Sequence, residues 1–196
     1  MVQKTARRGR PPKFDRDEVI AAAIGAFFHS GYEATTLGDL EEATGVDRST
    51  LYNSFGGKQG LYDLATTSYI ERGEASLFEP LTGGSGDGYA DVLEFLGRLR
   101  SGLTSPEAIP GCLIVNDMAA GAAPEVATRY RTKLETGLAA ALTRAGHPTP
   151  EAQADVLAAA VIGVNLVSKM TADPTVIGRH VDAMISTVTD WQNAND

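Results

Sequence analysis

Cysteine is almost missing from this chain: Cys112 is the only one in 196 residues. One thiol excludes an internal disulfide and a cysteine-rich zinc site, and it suits a reducing cytoplasm. Histidine is scarce as well. His29, His147 and His180 are too dispersed to supply metal-ligand spacing, so neither a metal nor a cofactor is expected. No apolar run approaches the length that spans a bilayer, and the N-terminus is basic and polar with no hydrophobic signal core. A cytoplasmic location without a membrane partner is the expectation. Catalytic patterns are missing too. Ser49 and Ser54 have no histidine or carboxylate pattern that would activate a nucleophile. Asp39, Glu41 and Glu42 fall on helix faces that read as solvated rather than paired in a cleft. The GGSGDG run at 83–88 lacks the lysine of a phosphate-binding loop and follows no strand. The chain is therefore not expected to be an enzyme.

Positive charge is in deficit, with 17 Lys and Arg against 25 Asp and Glu for a net charge of −8. The deficit is unevenly spread. Residues 1–60 hold eight of each sign, and the remaining 136 carry nine against seventeen. Lys4, Arg7, Arg8, Arg10 and Lys13 form a basic arm, residues 1–13, with no acid among them. Local field governs phosphate binding more than total charge does. The arm reads as a tail that is disordered when free and orders on DNA, with Arg8 and Arg10 placed to enter an AT-rich minor groove.

What is present in abundance is helical patterning, and it starts with three short elements. Phe14-Asp15-Arg16-Asp17-Glu18-Val19 is a helix start, with Asp15 as N-cap, Glu18 completing a capping box and Phe14 with Val19 as a hydrophobic staple. Ile20, Ile24, Phe27 and Phe28 follow on one stripe, and Ser30-Gly31 stops the helix. Thr36 caps a second helix with Asp39 as its acidic partner, Leu37, Leu40 and Ala43 give it a buried face, and Gly45 ends it. Asp47 caps a third, about two turns long, whose Leu51 and Phe55 face inward. Its other face carries Arg48, Ser49, Thr50, Tyr52 and Asn53, closely followed by Lys58. That is the chemistry of a helix lying in the DNA major groove with flanking groups on phosphates. Arg48 and Ser49 are expected at base edges, and Thr36, Tyr52 and Lys58 at phosphates. A helix this short needs a scaffold, which the first two supply.

Taken in order, Phe28, Gly31, Tyr32, Thr35, Thr36, Leu37, Leu40, Gly45, Val46, Leu51, Tyr52, Phe55 and Lys58 make the first third of the chain resemble the DNA-binding domain of the TetR family of transcriptional regulators. Two positions depart from the family pattern. Gly57 stands where a serine cap is commoner and Gly60 where an acidic residue is usual. Both are expected to loosen the start of the fourth helix, since glycine costs about 1 kcal/mol inside a helix.

The remainder also reads as helical, giving an all-α fold: a helix-turn-helix domain at 14–60 and a second helical domain at 61–196. Helices are expected near 58–78, 91–103, 112–120, 124–145, 150–171 and 174–191, with a flexible loop at 82–88 and a break at 105–111. The resemblance implies that this domain binds a ligand and pairs with a second copy through its last two helices. The small residues of AAAVIGVNLV at 158–167 would allow close approach there. It further implies a regulator, repressor more than activator, that binds double-stranded DNA at a palindromic operator as a homodimer and leaves it when a small, largely apolar effector binds. The effector cavity is expected among Phe95, Leu99, Leu103, Cys112 and Leu113, together with Asn116, Tyr130, Leu134 and Asn165. The Gly111-Cys112-Leu113-Ile114-Val115-Asn116 segment is similar to one found in a group of TetR-like second domains. Cys112 is expected to line the cavity as a small apolar residue. Two alternatives stay open: a reactive thiolate at a helix start that senses electrophiles or oxidants, and a small-molecule-binding dimer that does not read DNA. Asn165, alone in an apolar helix, belongs either to the cavity or to the dimer interface.

Overall fold

The computed structural model describes residues 14–106, 108–121, 124–171 and 173–195, without the side chains of Glu74 and Pro124. The fold is all-α, and there is no strand among the described residues. Helix α1 (Arg16–Ala34) starts where expected: the Asp15 carboxylate accepts the backbone N–H of Asp17 at 2.8 Å and of Glu18 at 3.3 Å. Its end is more particular. Gly31 adopts φ 76°, which breaks the helix, and one further turn carries Tyr32 before Thr35 closes it. Thr35 is buried and donates its hydroxyl back to the Gly31 carbonyl at 2.6 Å.

Helices α2 (Leu37–Thr44) and α3 (Arg48–Phe55) form the helix-turn-helix. Thr36 and Asp39 make the expected reciprocal capping box, and Gly45 ends α2 in the left-handed conformation. Both α2 and α4 pack on α1, and α3 rests against α4. The small core between them holds Phe27, Leu40, Leu51, Phe55 and Leu61. The Tyr62 ring stands edge-on to Phe27 at 5.1 Å and against Tyr32 at 4.6 Å.

Helix α4 (Gly57–Ser76) runs continuously through the expected domain boundary at 60 and 61. After it come α5 (Glu79–Thr82), a single turn with proline in its first positions, then α6 (Gly88–Thr104), α7 (Leu113–Ala119), α8 (Pro124–Arg144), α9 (Pro150–Thr171) and α10 (Pro174–Asn195). α6 packs on α8 and α10, α8 on α9, and α9 on α10. The short α7 touches α1, α8 and α9, so it joins the two halves.

Two expectations are corrected here. The 82–88 loop is pinned: buried Asp91 accepts the Ser85 N–H at 2.7 Å and pairs with Arg144 at 2.8 Å. Burial raises the Asp91 carboxyl, but the bonds from Arg144 and Ser85 outweigh it and leave it below the usual carboxylate range. Secondly, α9 is long and apolar enough, by length and composition, to cross a bilayer. Its residues Ala154, Leu157, Ala158, Val161 and Val164 are instead buried against the rest of the chain.

Candidate nucleic-acid interface and internal cavity

The face of α3 away from the core carries Arg48, Ser49, Tyr52 and Asn53, all exposed, with Thr50 half-buried beside them. Their backbone is set by the cap. The Asp47 carboxylate accepts the Thr50 N–H at 2.7 Å and the Ser49 hydroxyl at 2.8 Å, which hold it below the usual carboxylate range. Arg48 is tied to α2, since Glu41 accepts its N–H at 2.7 Å and lies 3.5 Å from its guanidinium. Its side chain remains 60% exposed, so the guanidinium is available to a base edge. Tyr52 is 56% exposed and its ring lies over Gly57, where a Cβ would come within 2.9 Å of it.

Lys58 sits at the start of α4, where its ammonium lies 4.4 Å from the centre of the Tyr32 ring and donates to the Glu33 carbonyl at 3.2 Å. An ammonium has three donors, so phosphate contact is compatible with this placement. Thr36 is exposed and makes the capping box expected of it. Its hydroxyl donates to Asp39 at 2.8 Å and accepts the Asp39 N–H at 3.2 Å, so its one donor is already engaged. Arg8 and Arg10 lie outside the described residues.

The glycines at 57 and 60 do not loosen α4 as expected. Gly56 and Gly57 take successive left-handed conformations, φ 77° and 74°, which turn the chain sharply from α3 into α4. A Cβ on Gly60 would lie 2.0 Å from the Phe55 carbonyl oxygen. The two departures therefore bring the helices into a close contact that a side chain would prevent.

The second half, together with α1, forms a partly open cavity of about 960 Å³, at the upper end of the size range typical of ligand sites. Of the nine residues named from the sequence, Leu99, Leu103, Cys112, Tyr130 and Asn165 line it. The other four expected residues do not form its walls. Phe95, Leu113 and Leu134 are fully buried in the packed core, and Asn116 lies under Gly111, its amide within 3.1 Å of where a Cβ would stand. Sequence reading missed the contribution of α1, whose Ile24 and Phe28 line the cavity, and that of α4 through Tyr69 and Arg72, with Leu77 just beyond its end. Ile24 and Phe28 were legible only as a buried stripe, because a helical period shows which face is inward and not what it faces.

Cys112 is the N-cap of α7 and is buried, and the Tyr69 hydroxyl approaches its sulfur at 3.5 Å. Burial beside this thiol raises both Tyr69 and Tyr130 above the ordinary phenol value. Asn165 donates to the Val161 carbonyl one turn earlier at 2.8 Å, which satisfies its amide nitrogen within α9. At the far end of α7 lies buried Asp117. Its carboxylate accepts the Tyr62 hydroxyl at 2.6 Å and the Tyr32 N–H at 3.4 Å. Burial and this hydrogen bond push Tyr62 well above the usual phenol range. No local pattern announces this contact, which spans 55 positions.

Comparison with known proteins agrees with this geometry. Residues 19–65 match the model for bacterial regulatory proteins of the tetR family. The chain is 31% identical over 193 residues to the uncharacterized HTH-type transcriptional regulator YezE of Bacillus subtilis, covering 91% of this chain and 98% of that one. It is 36% identical over 110 residues to the HTH-type transcriptional repressor ComR of Escherichia coli, a stretch that spans 56% of this chain and about half, 52%, of ComR. Among solved structures it resembles the TetR family regulator CifR in complex with 26-bp operator DNA, with a TM-score of 0.70 at 23% identity over 94% of this chain and 99% of that one. It also resembles E. coli NemR in its reduced form, with a TM-score of 0.74 at 20% identity over 89% and 95%. The chain belongs to the TetR family of helix-turn-helix transcriptional regulators.

Proposed function

We propose that the protein is a homodimeric repressor that binds a palindromic operator through α3 and releases it when an effector occupies the cavity. The observation that carries this is the sharing of elements between the two sites. α1 scaffolds the helix-turn-helix and also presents Ile24 and Phe28 to the cavity. α7 starts at Cys112 on the cavity wall and ends in the Asp117 contact with Tyr32 and Tyr62 of the DNA-binding half. Ligand that displaces the start of α7 thus moves a hydrogen-bonded anchor of α1 and α4. To shift the population, the effector must bind the released state more tightly than the DNA-bound one. Two recognition helices must sit about 34–36 Å apart to enter successive major grooves, and a change in the α1–α4 angle alters that spacing.

The expected partner surface is the outer face of α9 and α10. Val156 is 61% and Met170 85% exposed there, and Ala159 is exposed between them. The test is fluorescence anisotropy on DNA from upstream of the protein's own gene, titrated with protein and then with candidate effectors. Half-site-symmetric binding reversed by a cavity ligand supports the proposal, and DNA affinity independent of every cavity ligand counts against it.

A second reading has Cys112 as a thiol sensor, and its place between the cavity and α7 favours it. Its burial favours the lining role instead. Titration with a thiol-reactive electrophile separates the two. Rapid modification with loss of DNA binding, abolished in Cys112→Ser, supports the sensor, and labelling only on unfolding supports the lining role.

A further inference from the structure

We infer that the cavity is built for an amphipathic anion, an apolar body ending in a carboxylate or similar acid group. This rests on the reading of the cavity as the effector site. Residues 61–196 carry nine basic and seventeen acidic side chains, so a cavity in this half would be expected to be acid-rimmed. The opposite holds. Among the described residues Arg72, Arg98, Arg129 and Lys133 line it, against one carboxylate, Glu94.

That carboxylate is already engaged. Glu94 accepts from Arg98 at 2.8 Å, and Glu79 lies 3.1 Å from the same guanidinium. Even with Glu79 counted, cations outnumber acids here among the described residues. Two of the guanidiniums have no carboxylate partner among the described residues. Arg72 donates only within its own helix, to the carbonyl and hydroxyl of Ser68 at 3.4 and 3.2 Å. Arg129 makes no hydrogen bond or ion pair among the described residues. Both are exposed and come from different helices, α4 and α8, onto one cavity.

The interior behind them is apolar, walled by Phe28, Leu77, Leu99 and the Tyr69 and Tyr130 rings. An acid group at the opening gains two guanidinium forks, whose planar donors match a carboxylate. A neutral ligand gains only the apolar contacts, and a cationic one meets like charge.

The test is calorimetric titration of the full-length protein with decanoate and with 1-naphthoate, each beside its primary amide and the matching primary amine. Each acid is expected to bind at least tenfold more tightly than its amide, with the amine weakest and the preference shrinking as salt is added. In the Arg72→Gln, Arg129→Gln double variant the acid should fall to the affinity of the amide, with the amide unchanged. Equal affinity for acid and amide, a preference for the amine, or no saturable binding of either acid overturns the inference. So does a charge preference that survives in the double variant. Operator release is measured separately by anisotropy. An acid that binds with the expected preference but leaves DNA binding intact upholds the ligand class and overturns the effector role.

Discussion

At Gly60 the usual sign of a substitution reverses. Replacing an exposed helical glycine by alanine ordinarily gains about 1 kcal/mol. Here the added Cβ meets the Phe55 carbonyl at 2.0 Å, and a backbone atom cannot swing aside as a side-chain tip can. Gly60→Ala is expected to cost roughly 1–3 kcal/mol, the usual price of overpacking. Urea unfolding measures this, and a variant more stable than the parent would show that α4 yields freely. On α3 the roles divide by chemistry. Arg48→Ala should lose about 1–3 kcal/mol on operator DNA and relax selectivity at one position per half-site. Lys58→Ala should weaken binding to operator and random DNA alike and flatten the salt dependence, because an ammonium on phosphate carries no base information. Equal losses on operator and random DNA in both variants would refute the division.

At the scale of elements, α7 and the 83–87 loop show what a buried carboxylate can organise. Tyr62→Phe removes the donor to Asp117, a bond to a charged group, with an expected cost of about 1.5–3 kcal/mol. Amide exchange should quicken selectively in the 31–36 and 57–62 segments of that variant, and uniform acceleration across the chain would mean the contact serves stability without joining the halves. Asp91 gives a pH signature. Its folded-state value is depressed, so its contribution is fully present above the unfolded carboxylate value of about 4 and is lost as pH falls through the lower folded value. Asp91→Asn should cost about 1.5–3 kcal/mol at neutral pH, the worth of hydrogen bonds to a charged group whose partner Arg144 is partly exposed, and its melting temperature should fall less steeply than the parent's below pH 4.

Which elements were legible follows from the same physics. α2, α3 and α9 were readable nearly to the residue because Thr36, Asp47, Gly45 and Pro150 announce their ends locally. α5 was missed, since four residues around a proline carry no period. Most of the cavity wall was missed for another reason: Ile24, Phe28 and Tyr69 reach the cavity through tertiary packing, and a helical stripe does not say which neighbour it meets. Asp117 lies within the short apolar 112–120 segment with no local pattern to mark it, and only the fold brings Tyr62 to it.

For the whole molecule, assembly is the open quantity that mutation can read cleanly. No atom lies within 4 Å of where a Cβ on Gly163 would stand, so a side chain there starts into open space within its own chain, and circular dichroism of Gly163→Leu checks that the fold is kept. If the outer face of α9 meets a second copy, this variant should fold normally, sediment as a monomer and bind operator poorly, because one α3 covers one half-site. An intact dimer would place the interface elsewhere.

The helix α4 that passes unbroken from the turn at Gly56 to Ser76 bears on modular engineering. Exchanging reading heads between regulators presumes a seam where two parts can be cut and rejoined. A cut at residue 60 would leave Tyr62 with the recipient and Phe27, Tyr32 and Phe28 with the donor, severing one aromatic cluster and one cavity wall together. A graft that keeps its responsiveness has to carry α1 and α4 as one piece and import α7 with them, so for this chain the exchangeable cassette is larger than the part that touches DNA.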